Sequence, residues 1–394
     1  MREDPGRRGL LFAGTESGLF ISFDDGANWA PFQRNLPVVP ITDMTIKRED
    51  LVVATQGRSF WVLDDLTPLR QWKPGIGAQA VHLFEPRVAH RLPGSVSEQP
   101  DAGRNRPNGL IVNFWLKDKP KADVPVTIEF LDGGAVVRTL TSVEKKAEAD
   151  ELAEPGDEGE DDEEKAIEPV AGVNRVVWNL RQSAPTLFKP RYTYGDFPPQ
   201  GIRLTPGRYR VRVKVGSETR EAPFEVHSNP SLKVPAEDLK AQADFLHAVR
   251  DDLLALNAAV RRIKDTKLQL AGLQKRADAI GKGEGLKAKT EALAKTLSGI
   301  ADELYNPNIR TSQDSLNFLP KLDFQISGVG GMSDGADARP TAAALARHKA
   351  LQGQLKEILG RLDVALSRDL GALNKAVADA GIPPVIVVPF EKKR

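Results

Sequence analysis

The chain has 394 residues, enough for two or three domains, and its 40% hydrophobic and 28% charged residues are ordinary for a globular protein. Its net charge of +1 excludes a global electrostatic field that would hold nucleic acid or an anionic membrane. The absence of cysteine excludes disulfides, zinc–thiolate sites, iron–sulfur clusters and cysteine nucleophiles.

Short apolar runs separated by turn residues fill residues 9–65 and predict five β-strands. Residues 22–29 (SFDDGANW) form an Asp-box, a tight hairpin turn of the pattern S/T-x-D-x-G-x-x-W. In such a turn Asp24 accepts hydrogen bonds from backbone amides two or three residues on, Gly26 takes φ > 0, and Trp29 folds back over the turn. The carboxylate is thereby used locally, and no catalytic or metal-binding role is predicted for it. The motif residues predicted to be structural are Ser22, Asp24, Gly26 and Trp29.

Four segments together resemble the last propeller blades of large bacterial BNR-repeat proteins, which are labelled glycosyl hydrolase or sortilin N-terminal domain-like. They are residues 9–16 (GLLFAGTE), the Asp-box, 35–37 (NLP) and 50–65 (DLVVATQGRSFWVLDD). The resemblance implies that residues 1–75 are terminal β-propeller blades, which normally pack against neighbouring blades. The missing blades are then the expected partner, either in the same parent polypeptide or in another chain.

The same resemblance implies an exported parent protein, periplasmic or secreted, in which Met1 is an internal position and this chain is a fragment. The chain as written opens with charge and a turn (MREDP) and shows no signal peptide. No stretch approaches the eighteen apolar residues of a membrane span. A cytoplasmic location is therefore expected for the chain if it is expressed as written.

Residues 76–230 contain six or seven apolar or alternating runs, which predict an antiparallel β-sandwich of Ig/FnIII type. Residues 172–179 (GVNRVVWN) and 206–211 (PGRYRV) resemble the Ig-like domain of flagellar hook-assembly proteins. That resemblance implies a buried tryptophan and a final hairpin that begins at the Pro-Gly pair. Trp178 is accordingly predicted to be a core residue rather than a sugar-stacking one.

An acidic insertion interrupts this region at residues 144–168. Eleven of the seventeen residues in 148–164 are Asp or Glu. A run that repels itself and buries little is predicted to be a disordered loop. Calcium binding is the alternative, but residues 157–162 (DEGEDD) lack the spacing of an EF-hand.

From Pro235 the apolar period becomes helical, with leucines and other aliphatic residues recurring every seven positions up to residue 270. Further apolar stripes over 286–304 and 351–377 predict two more helices. These predict an antiparallel helical hairpin or three-helix bundle over 235–380, with a tail at 381–394. Alternatively, the stripes dock on the propeller or form a dimer.

A long loop is predicted over 305–340, because this stretch is rich in Gly, Ser and Asp. Its segment 328–335 (GVGGMSDG) superficially resembles a phosphate-binding loop. The resemblance fails, because no strand precedes the segment and no Gly-Lys-Ser/Thr follows it.

The sequence predicts no catalytic residue, no metal site and no cofactor. The five histidines are scattered over different elements without metal-ligand spacing. Sialidases build their site from an arginine cluster, a tyrosine with its glutamate and an aspartate on several blades, so Arg58 could supply only one rim residue. The expected ligand is a protein or a glycan, and the candidate contacts are Arg58, Tyr192 and Tyr194.

Two functions follow from these patterns. The first is a non-catalytic C-terminal scaffold or interaction module of an exported BNR-repeat propeller protein. The second is an accessory part of a carbohydrate-active hydrolase whose catalytic residues lie mostly elsewhere. The fold class expected for either is multidomain, mainly β plus α: terminal propeller blades, an Ig/FnIII-like sandwich and a C-terminal helical hairpin or bundle.

Overall fold

The structure, a computed structural model, describes residues 1–92, 106–143, 167–187, 200–309, 313–319 and 321–387. The chain divides into two compact units. Unit 1 consists of Met1–Glu144, Lys165–Leu180 and Pro206–Leu232, and unit 2 of Lys145–Glu164, Arg181–Thr205 and Lys233–Arg394. Sheets make up unit 1 and helices make up most of unit 2, so the predicted combination of β and α structure is confirmed. All but the last two residues of the predicted acidic insertion at 144–168 lie outside the described residues.

Unit 1 opens with two antiparallel sheets, ordered β1-β2-β3-β4 and β5-β6-β7. Their strands are β1 (Arg2–Glu3), β2 (Leu11–Thr15), β3 (Gly18–Ser22), β4 (Ala30–Pro31), β5 (Ile41–Lys47), β6 (Asp50–Thr55) and β7 (Phe60–Leu63). The five strands predicted from the apolar runs are confirmed, and the two-residue strands β1 and β4 extend the first sheet. A short helix, α1 (Thr67–Gln71), follows β7.

The two sheets share one apolar core. Phe12 and Ile21 from the first sheet lie in the same buried cluster as Met44, Leu51 and Val53 from the second. Successive side chains of a strand point to opposite faces, so each sheet places only one of its two faces in this core. The opposite face of each sheet has to be covered by something else or left in solvent.

Two further sheets complete unit 1, ordered β13-β10-β8 and β12-β11-β14-β15-β9. Their strands are β8 (Val81–Leu83), β9 (Ala89–His90), β10 (Leu110–Leu116), β11 (Val126–Asp132), β12 (Ala135–Thr141), β13 (Gly172–Trp178), β14 (Gly207–Val215) and β15 (Glu218–His227). Trp178 of β13 stacks on Phe130 of β11 with 3.9 Å between ring centroids, and Phe224 of β15 meets Trp178 edge-on. All three rings are buried, so the prediction of Trp178 as a core residue is confirmed.

Two features of these sheets differ from the prediction. β9 pairs in parallel with β15, through Ala89 opposite Val226, so the expected purely antiparallel arrangement is wrong at this edge. A two-residue strand carries no periodicity, and nothing local in the sequence could indicate its partner. β15 is not among the apolar runs that predict strands, because charged residues and Pro223 interrupt its apolar positions, and only the final hairpin implied by the resemblance indicates it.

Polar and aromatic contacts join the segment that follows β7 to β10 and β13 within unit 1. Asn113 Nδ2 on β10 donates to Asp65 Oδ2 at 3.0 Å, and both residues are almost completely buried, at 4% and 3% exposure. Arg175 of β13 donates to the backbone carbonyl of Asp64 at 3.0 Å. Nearby, the ring of Trp72 packs edge-on against Trp115 of β10. Residues 64–72 are therefore held against β10 and β13 by both hydrogen bonds and aromatic packing.

Unit 2 contains α2 (Ala236–Ala279), α3 (Glu284–Leu304), α4 (Leu322–Asp334), α5 (Ala342–Val364) and α6 (Leu370–Asp379). Pro235 precedes α2, and Glu237 and Asp238 lie in its first turn, where acids favour the positive end of the helix dipole. α2 packs against α3, α4 and α5, and the apolar stripes of these helices form one buried cluster. The prediction that the stripes pack against one another is confirmed for the described residues.

The prediction of one long loop over 305–340 is wrong in its second half, which contains α4. Leu322, Ile326 and Gly330 are spaced four apart and are buried on one side of this helix. A Cβ at position 330 would lie 2.9 Å from Val249 Cγ1 of α2, so a larger residue there would force Val249 or one of the two helices to shift. The small residues that suggested a loop instead allow close packing of two helices, and the bundle gains a helix over the predicted hairpin or three-helix arrangement.

The last helical segment changes its winding once. Residues 365–369 form a π-helical turn between α5 and α6. The apolar residues on both sides of the turn remain buried, including Leu362, Leu366, Leu370 and Leu373. The segment from α5 to α6 therefore keeps one continuous apolar side although its hydrogen-bonding pattern changes.

Candidate functional site

The Asp24 carboxylate accepts hydrogen bonds from several groups of the Asp-box turn between β3 and β4. Asn28 donates its backbone N–H to Asp24 Oδ1 at 2.8 Å and its side-chain Nδ2 to Oδ2 at 2.7 Å. Ser22 Oγ donates to Oδ1 at 2.8 Å and accepts from the backbone N–H of Gly26 at 3.0 Å. The backbone donor to Asp24 is thus four residues on, not two or three. Gly26 has φ 88°, and a Cβ added to it would lie 3.7 Å from Trp29 Cζ2, so the indole lies over the turn.

These hydrogen bonds decide what Asp24 can do chemically. The bonds from Asn28, first from its side chain and then from its backbone, together with that from Ser22, hold the pKa of the Asp24 carboxyl below its ordinary value. A carboxylate that stays ionised and has its oxygens engaged by local donors is unsuited to act as a general acid. Its geometry serves the turn.

Arg58 lies at the exposed tip of the turn between β6 and β7. Gly57 and Ser59 on either side of it both have positive φ, at 79° and 62°. The backbone carbonyl of Arg58 accepts from Trp61 Nε1 at 2.9 Å, and that of Ser59 accepts from Thr55 Oγ1 at 2.7 Å. The turn conformation is therefore fixed by its own contacts, and it presents the guanidinium to solvent.

Next to Arg58 lies an exposed apolar sheet face. The register pairs Ala54 with Phe60 and Val52 with Val62, so these four residues share one face of β6 and β7, which we call the outer face. Phe60 is 74% exposed and Val62 is 54% exposed, while Val52 and Ala54 are partly exposed. The opposite face of the same strands packs into the core of the first two sheets.

The outer face has the residue types of an interaction surface. Aromatic residues and arginine are enriched at protein interfaces and dominate their binding energy. The apolar run of residues 60–63 predicts Phe60 and Val62 only as strand residues. A signal was nevertheless present, since β7 (FWVL) is apolar at every position, whereas a strand with one solvated face alternates.

A second candidate is a charged cluster around Asp64. Burial, with the nearby charge of Asp50, raises the pKa of the Asp64 carboxyl, and the positive charges of Arg106 and Arg175 act against this. Perturbed carboxyls of this kind occur at functional sites, but also in structural ion networks. Here Arg87 bridges Glu49 at 2.7 Å and Asp50 at 3.0 Å. Because acids and arginines already pair across the cluster, it is best explained as a network that holds unit 1 together.

The other predicted contacts and metal chemistry can be stated briefly. Tyr192 and Tyr194 lie outside the described residues. Within the described ranges, no three His, Asp or Glu side chains are grouped so that they could hold a metal ion. Among the helices of the described residues, none is long and apolar enough to cross a bilayer.

No protein-family model matches the chain, and the search of curated proteins found no match either.

Proposed function

We propose that this chain is a non-catalytic scaffold or interaction module of an exported BNR-repeat β-propeller protein, and that its outer face packs against an adjacent antiparallel sheet. The observation that carries the proposal is the exposure of Phe60 and Val62 on a strand that is apolar on both faces. A propeller blade needs both faces covered, because it packs between two neighbours. The locally engaged Asp24 carboxylate supports the non-catalytic part of the proposal.

The outer face is large enough to contribute measurably to binding. Complete burial of a phenylalanine or valine side chain stabilises a complex by about 1.5–3 kcal/mol. Phe60 and Val62 are partly buried already, so about 1–2 kcal/mol is expected from each. Arg58 lies at the end of the same strand pair and adds a polar contact at the rim.

The proposal can be tested with a separately produced Asp-box blade module of a BNR-repeat protein as the probe. Isothermal titration calorimetry should detect binding to the chain, and Phe60→Ser should weaken it about tenfold, since tenfold corresponds to about 1.4 kcal/mol. Val62→Ser should also weaken binding. Val38→Ser is the matched control, because Val38 is 75% exposed and lies outside the outer face. Absence of binding by the folded chain, or equal effects of the two valine variants, would overturn the proposal.

The accessory-hydrolase alternative rests on Tyr192 and Tyr194. No contact, distance or exposure within the described residues favours it, so it stays an expectation from the sequence.

A further inference from the structure

The end of the described chain is an extended segment that lies along the helices of unit 2. Gly381, with φ 69°, ends α6, and Ile382 N–H donates back to the carbonyl of Val377 at 3.1 Å. Beyond two prolines the chain stays non-helical to residue 387. Ile382 and Val385 are buried in the core of the bundle, whereas Ile386 is exposed. Two aliphatic side chains three residues apart therefore anchor the segment.

Two side-chain amides bind the backbone of consecutive residues in this segment. Asn374 of α6 donates Nδ2 to the Val385 carbonyl at 2.8 Å and accepts from Val385 N–H at 2.9 Å. Gln269 of α2 donates Nε2 to the Ile386 carbonyl at 2.7 Å and accepts from Ile386 N–H at 2.9 Å. Gln269 Nε2 also donates to Asp265 Oδ2 at 2.9 Å, which fixes the orientation of that amide. Each amide thus makes both hydrogen bonds that a neighbouring β-strand would make.

This arrangement has the elements of peptide recognition. Hydrogen bonds to backbone groups supply affinity for any extended peptide, and side-chain pockets supply specificity. Pro383 and Pro384 restrict the segment to an extended conformation before it binds, which lowers the entropy lost on binding. Asn374 satisfies the backbone of Val385, as burial of that residue in the core requires. Ile386 is exposed, so water can satisfy its backbone, and the two hydrogen bonds from Gln269 exceed what covering the core requires.

We propose that Gln269 and Asn374 define a peptide-binding groove on unit 2, which the chain's own residues 382–387 occupy. The partner it fits is an extended peptide with a proline pair followed by aliphatic residues, bound in trans in place of that segment. The proposal is independent of the function proposed above, because its residues are separate from the outer face.

The experiment uses the full-length chain and a fluorescein-labelled peptide of sequence GIPPVIV, which copies residues 381–387. In the unaltered chain the tethered segment has an effective concentration of about millimolar, so the free peptide should bind poorly. Val385→Asp places a carboxylate in an apolar site and should release the segment. Fluorescence anisotropy should then show peptide binding at least about tenfold tighter than to the unaltered chain.

Variants of Gln269 and Asn374 test whether the peptide is bound through its backbone or only through contact with the apolar surface. Adding Gln269→Leu and Asn374→Leu to Val385→Asp should weaken peptide binding by about tenfold or more, since tenfold corresponds to about 1.4 kcal/mol. Adding Gln354→Leu, at an exposed glutamine of α5, should leave binding unchanged. Circular dichroism at 222 nm establishes that each variant is folded. The proposal is overturned if folded Val385→Asp binds no peptide, if the unaltered chain binds it equally well, or if loss of the amides has no effect. Should Val385→Asp unfold, Ile386→Pro, which removes an N–H at an exposed residue, replaces it under the same criteria.

Discussion

Replacing Asn113 by alanine removes the buried donor that joins β10 to Asp65. The bond measures 3.0 Å, and the two residues are only 4% and 3% exposed, so no solvent replaces the lost donor. A hydrogen bond to a charged group contributes about 1.5–3 kcal/mol, and the buried partner left without it accounts for much of the cost. Asp65 keeps a second bond, from Thr67 N–H at 3.2 Å, which limits the loss. We expect Asn113→Ala to lower the free energy of unfolding of unit 1 by about 2–3 kcal/mol.

The chain provides a direct assay for this change. All five tryptophans lie in unit 1, so their fluorescence follows the unfolding of that unit, while ellipticity at 222 nm mainly follows the helices of unit 2. For a unit of about 190 residues, each kcal/mol shifts the melting temperature by about 2–4 °C. The tryptophan transition of Asn113→Ala should therefore fall by about 4–12 °C. Asn35→Ala, at an exposed asparagine of the same unit, should change it by less than about 1 °C.

A double-mutant cycle tests whether the bond itself causes the loss. The double variant should lose less free energy of unfolding than the two single variants lose together. Asn113→Ala leaves the buried Asp65 carboxylate without its donor, and the second change removes that carboxylate. A coupling energy of at least about 1.5 kcal/mol is expected. Additivity of Asn113→Ala and Asp65→Ala within about 0.5 kcal/mol would refute the reasoning.

Two further predictions concern α4 and the Asp-box. Gly330→Ala should destabilise unit 2 by about 1–3 kcal/mol in urea unfolding followed at 222 nm, since the new Cβ would lie 2.9 Å from Val249. Gly328→Ala is the control: nothing lies within 4 Å of a Cβ there, so this change should stabilise unit 2 by about 0.5–1 kcal/mol. A stabilising effect of Gly330→Ala would contradict the close packing of α4 on α2. Because hydrogen bonds from Asn28 lower the pKa of Asp24, its stabilisation is fully present above the unfolded pKa of about 3.9, declines below that pH and is lost as pH falls through the folded pKa. Asp24→Asn should thus lower the urea midpoint of tryptophan fluorescence more at pH 7 than at pH 3, and an equal difference at both would refute this.

Local sequence patterns predicted most of the elements but few of the contacts between them. β6 and β14 alternate or cluster apolar residues, and α2 repeats them every seven residues, so each could be recognised within a short window. The composition of 305–340 predicts a loop where α4 lies, although the spacing of Leu322, Ile326 and Gly330 marks one side of a helix.

The candidate sites depended on information that a local window does not contain. The Asp-box was recognisable because its hydrogen-bonding groups lie within seven residues of one another. The bond between Asn113 and Asp65 joins residues 48 positions apart, and the groove that holds Ile386 joins it to Gln269 across 117 positions. Exposure of Phe60 depends on what covers β7, which no pattern within the strand determines.

The π-helical turn at Ala365–Asp369 determines how the helical segment from α5 to α6 tolerates a change in its length. Its buried aliphatic positions 351, 355, 358, 362, 366, 370, 373 and 377 are separated by 4, 3, 4, 4, 4, 3 and 4 residues. Removal of Ala365, the first residue of the turn, would leave an unbroken alternation of fours and threes, which is the regular heptad spacing. The π-helical turn thus accommodates one extra residue as a local bulge, and the buried aliphatic residues of α6 stay on the same side of the helix as those of α5.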